Sequence, residues 1–277
     1  MKTVALPSGR AVPALGMGTW NMGEDPRRRL QEMAALQRGI ALGMTVIDTA
    51  EMYGEGGAEE LIGEAIRGRR DKVFIVSKVY PHNATRRGTV EACERSLGRL
   101  GVDSIDLYLL HWRGSARLNE TLEGFAELKG AGKIAGYGVS NFDTTDMDEA
   151  WGLPHGREIQ TNQILYNLTR RSVEHDLLPW LQVNGVPVMA YSPVEQGQLL
   201  RSPKLAAIAK ARGASPAQVA LAWLLEKPGV IAIPKSADRK HVEENRGAAD
   251  LVLSPAELAS LEAAFPRPKD RKPLEML

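Results

Sequence analysis

Residues 105–111 read Ile-Asp-Leu-Tyr-Leu-Leu-His. On an extended chain residues two apart share a face, so Ile105, Leu107 and Leu109 form an apolar column that ends in His111. The segments 45–48 (TVID) and 73–79 (VFIVSKV) repeat the pattern: Val46 leads to Asp48, while Phe74 and Val76 lead to Lys78. Three successive β-rich runs therefore each end an apolar column in one ionisable group. In a barrel of parallel strands such columns fill the interior, and active sites are built on the rim at the carboxyl ends. Asp48, Lys78 and His111 are expected on one rim.

Working outward, β-rich runs at 14–18, 45–48, 73–79, 105–111, 134–140, 158–163, 186–191 and 230–234 alternate with amphipathic stretches of helical length. Those stretches cover 26–42, 58–67, 86–100, 118–130, 173–183, 203–212 with 216–226, and 238–248. Strands alternating with helices predict a parallel sheet. Eight of them exceed the usual open doubly wound sheet, so the expected α/β fold is a single (β/α)8 TIM barrel. The turn LPSGR between 4–6 and 11–13 predicts an N-terminal β-hairpin on the barrel floor. Ser254-Pro255-Ala256-Glu257 is a helix start and predicts an extra C-terminal helix over 254–265. With no linker, low-complexity segment or internal repeat, residues 1–277 are expected to form one domain.

The bulk properties fit. A chain of 277 residues suits one barrel of about 250. Lys+Arg 35 against Asp+Glu 34 leaves a net charge of +1, so no overall field draws the chain to nucleic acid or an anionic membrane. The basic stretch Arg267, Lys269, Arg271 and Lys272 is short and broken by prolines, and reads as a solvated tail. Cys93 is the only cysteine, which removes intrachain disulfides and cysteine-built zinc sites; a half-buried helical thiol is expected. Neither a signal-like N-terminus nor a run of 18 apolar residues is evident, so a cytoplasmic protein is expected.

Tyr53, in the loop after Asp48, completes a reactive set. A phenol with pKa about 10 gives up its proton too reluctantly for easy exchange at neutral pH. An ammonium at ~4 Å contributes about 4 kcal/mol at an effective dielectric of 20. At about 1.36 kcal/mol per pH unit, Lys78 beside Tyr53 is expected to bring the phenol down by up to ~3 pH units before offsetting effects. Asp48 supplies the counter-charge for Lys78, and must lie farther from the phenol than Lys78 does. His111 can orient and polarise a carbonyl oxygen. A hydride source must come from outside, because no side chain provides one. Singly, each residue has a structural role open to it: a capping Asp, a Lys reaching solvent, a packed His, a loop aromatic. Four in barrel order argue for chemistry.

The motifs also carry a resemblance. GMGTW (16–20), IDTAEMYGEGGAEELIGEAI (47–66), SKV (77–79), IDLYLLHW (105–112), GVSNF (138–142), the Gln163 segment, AYSPVEQGQL (190–199) and IPKSADRKHVEEN (233–245) resemble the aldo-keto reductase superfamily, in its order and over nearly the whole chain. GTWNMGED, SKVYPHN and LLHWRGS are most similar to its bacterial branch of methylglyoxal reductases. The resemblance implies that Tyr53 is the general acid/base, tuned by Lys78 and Asp48, with His111 orienting a small carbonyl substrate. It implies a nicotinamide cofactor held by Thr19, Asp48, Ser140, Asn141 and Gln163, with Tyr191 stacked on its ring. Ser192, Val194, Gln196 and Leu199 would cover the pyrophosphate, and Lys235, Ser236, His241, Glu244 and Asn245 the adenosine end. Trp20, Tyr80, His111 and Trp112 would line the substrate mouth. The family default is a monomer.

Neither glycine-rich segment has the G-x-G-x-x-G spacing of a Rossmann site, in keeping with the family. Two positions depart from its pattern. His241 stands where an arginine usually grips the 2′-phosphate, and a histidine is a weaker, pH-dependent partner; NADP(H) is favoured and NAD(H) stays open. Arg113 stands where proline is usual, which would favour anionic or polar substrates or else mark an ordinary surface arginine. Two rival readings remain. One is a non-enzymatic NADP(H)-binding, redox-sensing subunit. The other is a metal-dependent barrel hydrolase, which five scattered histidines without ligand spacing support poorly.

Overall fold

The computed structural model describes residues 1–277. Strands β1 (Thr3–Ala5) and β2 (Ala11–Pro13) pair antiparallel as the N-terminal hairpin. Eight further strands follow: β3 (Met17–Gly18), β4 (Val46–Asp48), β5 (Phe74–Val79), β6 (Leu107–Leu110), β7 (Tyr137–Ser140), β8 (Asn162–Leu165), β9 (Val188–Tyr191) and β10 (Val230–Ala232). Each pairs parallel with the next in chain order. The last meets the first: Gly16 N donates to Ala232 O at 2.9 Å, Ala232 N to Ala14 O at 2.8 Å, and Gly18 N to Pro234 O at 3.1 Å. This closes the expected barrel. Glycine is required at position 16, where a Cβ would lie 2.7 Å from the Val46 carbonyl oxygen.

Helices α1 (Arg29–Ala41), α2 (Gly57–Ala65), α3 (Arg86–Leu100), α4 (Leu118–Gly130), α5 (Thr144–Gly152) and α6 (Leu177–Val183) each join consecutive strands. A pair, α7 (Pro203–Arg212) and α8 (Pro216–Leu225), joins β9 to β10; α9 (Arg239–Gly247) and the additional α10 (Pro255–Ala264) come last. Local chemistry sets their ends. Thr85 caps α3 by accepting from Gly88 N, and Gly101 ends it in the left-handed conformation at φ 64°. Ser254 and Glu257 form the capping box anticipated for α10.

The hairpin lies on the floor. Arg10 pairs with Asp106 at 2.6 Å and its guanidinium sits 4.6 Å from the Phe74 ring centre. Ser8 N donates to Gln160 Oε1 at 2.9 Å. Asp106, Phe74 and Gln160 all stand at or just before the amino ends of their strands, opposite the rim that carries Asp48 and Lys78.

Some sequence expectations need correction. Helix α5 was not foreseen between 140 and 158, because only Met147 and Ala150 of its residues are buried and the apolar stripe is too thin to read. Its signal is the Asp143–Asp146 capping box. The fifth inter-strand segment therefore runs longer, and the strand expected at 158–163 is displaced to β8, after a tight turn at Gly156–Glu158. The stretch 173–183 is not one helix: a 3₁₀ turn, Ser172–Glu174, precedes α6, and Asp176 at φ −141° breaks the continuity. Cys93 is fully buried rather than half-buried, and burial pushes its thiol up to about 12. No helix is long and apolar enough to cross a membrane.

Candidate active site

Position 53 is set by backbone packing. After β4 the chain still runs beside β5: Thr49 N donates to Val76 O at 2.8 Å and Glu51 N to Lys78 O at 3.3 Å. Glu51 then anchors the turn, accepting from Tyr80 N at 2.7 Å and from Asn83 Nδ2 at 3.0 Å. Tyr53 opens the 3₁₀ turn Tyr53–Gly56. The glycines of EGG serve close approach rather than phosphate binding: a Cβ on Gly57 would lie 2.5 Å from the Gly23 carbonyl oxygen. Sequence reasoning missed Glu51, whose only outward sign is its place beside Tyr53.

The four expected residues meet at the carboxyl rim. Lys78 is fully buried, and its Nζ donates to Asp48 Oδ2 at 2.9 Å, Thr49 O at 2.8 Å and Tyr53 Oη at 3.2 Å. The His111 ring packs edge-on to Tyr53, with centres 5.7 Å apart. Burial works against the Lys78 charge, but the Asp48 carboxylate and Tyr53 hold the ammonium above its usual range. Burial and the nearby Lys78 cation keep His111 well below the ordinary histidine range, so the ring is neutral. Tyr53 departs from expectation. Burial pushes the phenol above its usual value; Lys78 opposes this and Asp48 adds to it. The expected lowering counted the cation alone, whereas in a dry site desolvation outweighs a lysine already paired with a carboxylate. Tyr53 is thus a protonated phenol facing a fixed ammonium.

The residues expected around a nicotinamide form a patch beside this group. Gln163 Nε2 donates to Asp48 Oδ1 at 2.7 Å, so Asp48 is held at both oxygens. Asn141, at φ 58°, donates through Nδ2 to His111 O and to Ser140 Oγ, both at 3.1 Å. Its Oδ1 accepts from the Tyr191 hydroxyl at 2.9 Å. Burial pushes that phenol up to about 12, so it remains a donor. Thr19 is fully buried, its hydroxyl spent on Asp48 O at 2.9 Å.

Beyond β9, Ser192, Val194 and Gln196 lie on a turn-rich segment, while Leu199 is buried in the core. Past β10, Lys235 and His241 are exposed, Asn245 is buried on α9 and Glu244 is half-buried. Ser236 Oγ bonds Asp238, whose carboxylate caps α9 by accepting from Lys240 N at 2.7 Å and His241 N at 3.3 Å. At the mouth, Trp112 packs on Tyr80 at 5.2 Å and on His111 at 4.7 Å between ring centres. Trp20 is 44% exposed and pairs with neither. Arg113 is engaged by Glu149 at 3.2 Å and Asp146 at 3.8 Å, which makes it a paired rim residue.

Known proteins are similar to this chain in sequence and fold. A sequence model of the Aldo/keto reductase family matches residues 14–265. The methylglyoxal reductase YeaE of Escherichia coli K12 is 50% identical over 281 residues, covering 100% of this chain and 99% of that protein. The glyoxal reductase of Bacillus subtilis 168 is 34% identical over 266 residues, covering 94% and 92%. An aldo-keto reductase from Klebsiella pneumoniae, solved in complex with NADPH, superimposes with a TM-score of 0.97 at 50% identity, covering 100% of this chain and 99% of that one. With Asp48, Lys78 and His111 buried beside the half-buried Tyr53 on a closed eight-stranded rim, and with that much shared sequence, the chain belongs to the aldo/keto reductase family.

Proposed function

We propose that this chain reduces aldehydes and reactive ketones to alcohols with NADP(H), and that Tyr53 is the general acid. The observation that carries the reading is the Lys78 ammonium, held by Asp48 at 2.9 Å and reaching the Tyr53 hydroxyl at 3.2 Å. When bound, a dihydronicotinamide supplies the hydride that no side chain can. The patch of Ser140, Asn141 and Gln163, joined by Tyr191, offers the donors and acceptors a carboxamide needs, and the half-buried Tyr191 ring offers an apolar face. Thr19 and Asp48 stand at its edge. Ser192, Val194, Gln196 and Leu199 would lie along the pyrophosphate, with Lys235, Ser236, His241, Glu244 and Asn245 at the adenosine end.

The remaining work belongs to the protein. Tyr53, protonated at neutral pH, donates its proton to the substrate oxygen. The phenolate left behind sits against an ammonium that Asp48 keeps charged, so charge develops where a fixed counter-charge already stands. His111, neutral, donates a hydrogen bond to the same oxygen and sets the approach of the carbonyl. Tyr80 and Trp112 give the mouth an aromatic wall, with Trp20 at its outer edge. Two of the relatives are a methylglyoxal and a glyoxal reductase, which favours small α-oxoaldehydes. The same reading has residues 1–277 working as one domain and as a cytoplasmic monomer; the continuous hydrophobic core favours the first, and sedimentation in solution tests the second.

The test is a carbonyl panel of methylglyoxal, benzaldehydes, sugars and ketosteroids, run with NADPH and NADH in parallel. Consumption of NADPH with the small α-oxoaldehydes is expected. NADPH binding with no turnover on any member would turn the reading to a redox-sensing subunit.

A further inference from the structure

One guanidinium ties three segments together. Arg170, in the turn after β8, donates through Nε and Nη2 to Glu195 Oε1 at 2.9 and 2.6 Å, and through Nη1 to Glu275 Oε1 at 2.6 Å. Asn167 makes a second hold. Its Oδ1 accepts from Thr169 N, Thr169 Oγ1 and Arg170 N at 2.9, 2.8 and 3.1 Å, which fixes the turn. Its Nδ2 donates to Ser192 O at 2.9 Å and to Glu195 Oε2 at 2.7 Å. Both oxygens of the buried Glu195 are therefore occupied, and all side-chain hydrogen bonds onto segment 192–201 come from these two residues.

That segment is held against its backbone preference. Ser192, Glu195 and Gln196 take φ values of 46°, 50° and 52°, in the left-handed region that residues with a Cβ disfavour. Such strain persists only while the surroundings over-determine it. The third arm of Arg170 reaches a C-terminal stretch that is itself laid along the rim. Lys272 N is bonded to Ser172 Oγ at 2.8 Å, Arg271 pairs with Asp176 at 2.9 Å, and Leu277 N approaches the Tyr191 hydroxyl at 3.4 Å. A planar fork can hold two carboxylates in fixed directions, which an ammonium does less well. The Arg170 side chain is 34% exposed, so water can compete for it and the hold can open.

We propose that Arg170 is a latch, a positioning residue that keeps segment 192–201 closed and joins its order to that of the C-terminal stretch. The proposal rests on the reading of 192–201 as the cover of the cofactor. It follows that the Arg170–Glu195 pair governs how fast NADPH leaves, while proton donation at Tyr53 is untouched.

Two readouts test it in the full-length protein: NADPH dissociation by stopped-flow fluorescence, and tryptic cleavage after Arg201 in protein without cofactor. Arg170→Ala is expected to raise both rates by about tenfold or more, because it leaves the buried Glu195 carboxylate without its cation. Glu195→Gln, which keeps the shape and the Asn167 contact, gives a smaller rise in both; Glu275→Gln raises them through the tail arm; Arg170→Lys restores part of the hold. Arg212→Ala, which frees a surface contact between α7 and α10, stays within about twofold of wild type. Unchanged rates in both Arg170→Ala and Glu195→Gln, or an equal rise in Arg212→Ala, overturn the latch. A wild-type chain that binds no NADPH sinks the functional reading instead, and the latch then stands or falls on proteolysis.

Discussion

The ammonium of Lys78 lies 3.2 Å from the hydroxyl of Tyr53, with no exposed surface of its own. Its charge at that depth depends on Asp48. Lys78→Met leaves the Asp48 carboxylate buried without its cation, which costs about 3–5 kcal/mol when one partner of a buried pair is removed. Adding Asp48→Asn removes the orphaned charge. Urea denaturation is expected to show the single variant strongly destabilised and the double variant largely recovered, with turnover lost in both. Recovery of turnover in the double variant would mean that the cation serves stability alone.

The pH dependence follows from the same group. A general acid works while protonated, so activity belongs below the folded pKa and is lost above it. Burial and Asp48 hold Tyr53 above its ordinary value against the pull of Lys78, and His111 stays neutral far below its ordinary range. Reductive kcat/KM is therefore expected to be level from about pH 6 to 9 and to fall only above about 10, the unperturbed phenol value. An acid limb centred near 6.5 would show that His111 titrates.

Gly57 provides a test of placement. Its φ of −59° suits any residue, so only space forbids a side chain: a Cβ would sit 2.5 Å from the Gly23 carbonyl oxygen. Gly57→Ala should push the Tyr53 turn off its place and lower kcat by roughly 10- to 100-fold, as a displacement of about 1 Å can. NADPH affinity measured by fluorescence titration should change little.

The floor should behave in the opposite way. Asp106 accepts from Arg10 at 2.6 Å, pairs with Arg70 at 2.7 Å and accepts from Ile75 N at 2.8 Å. Both arginines are partly exposed, so Asp106→Ala is expected to cost about 2 kcal/mol, or about 4–8 °C in Tm for a chain of this size. Turnover at 25 °C should be unchanged, because stability rather than chemistry resides at that end of the barrel.

How much of this was legible beforehand depended on distance along the chain. Asp48, Lys78 and His111 could be placed on one rim because strand alternation is local and repeats in three neighbouring runs. The carboxyl-end rule then did the rest. Helix α5 escaped because two buried side chains make no visible stripe, and β8 was misplaced because the Gly156 turn intervenes. The Tyr53 shift was misjudged in sign, since desolvation depends on packing that only the closed fold supplies. Arg170, Glu195 and Glu275 are separated by 25 and 105 positions from Arg170 to each partner; nothing in the local pattern of any of them announces the other two.

The most direct measurement is single-turnover reduction of methylglyoxal by Tyr53→Phe loaded with NADPH, alongside a fluorescence titration of the same variant. Loss of the phenol proton should slow reduction by about 10²–10⁴-fold while NADPH binds as tightly as to the wild-type chain. Reduction at a near-normal rate would contradict the assignment of Tyr53 as the acid.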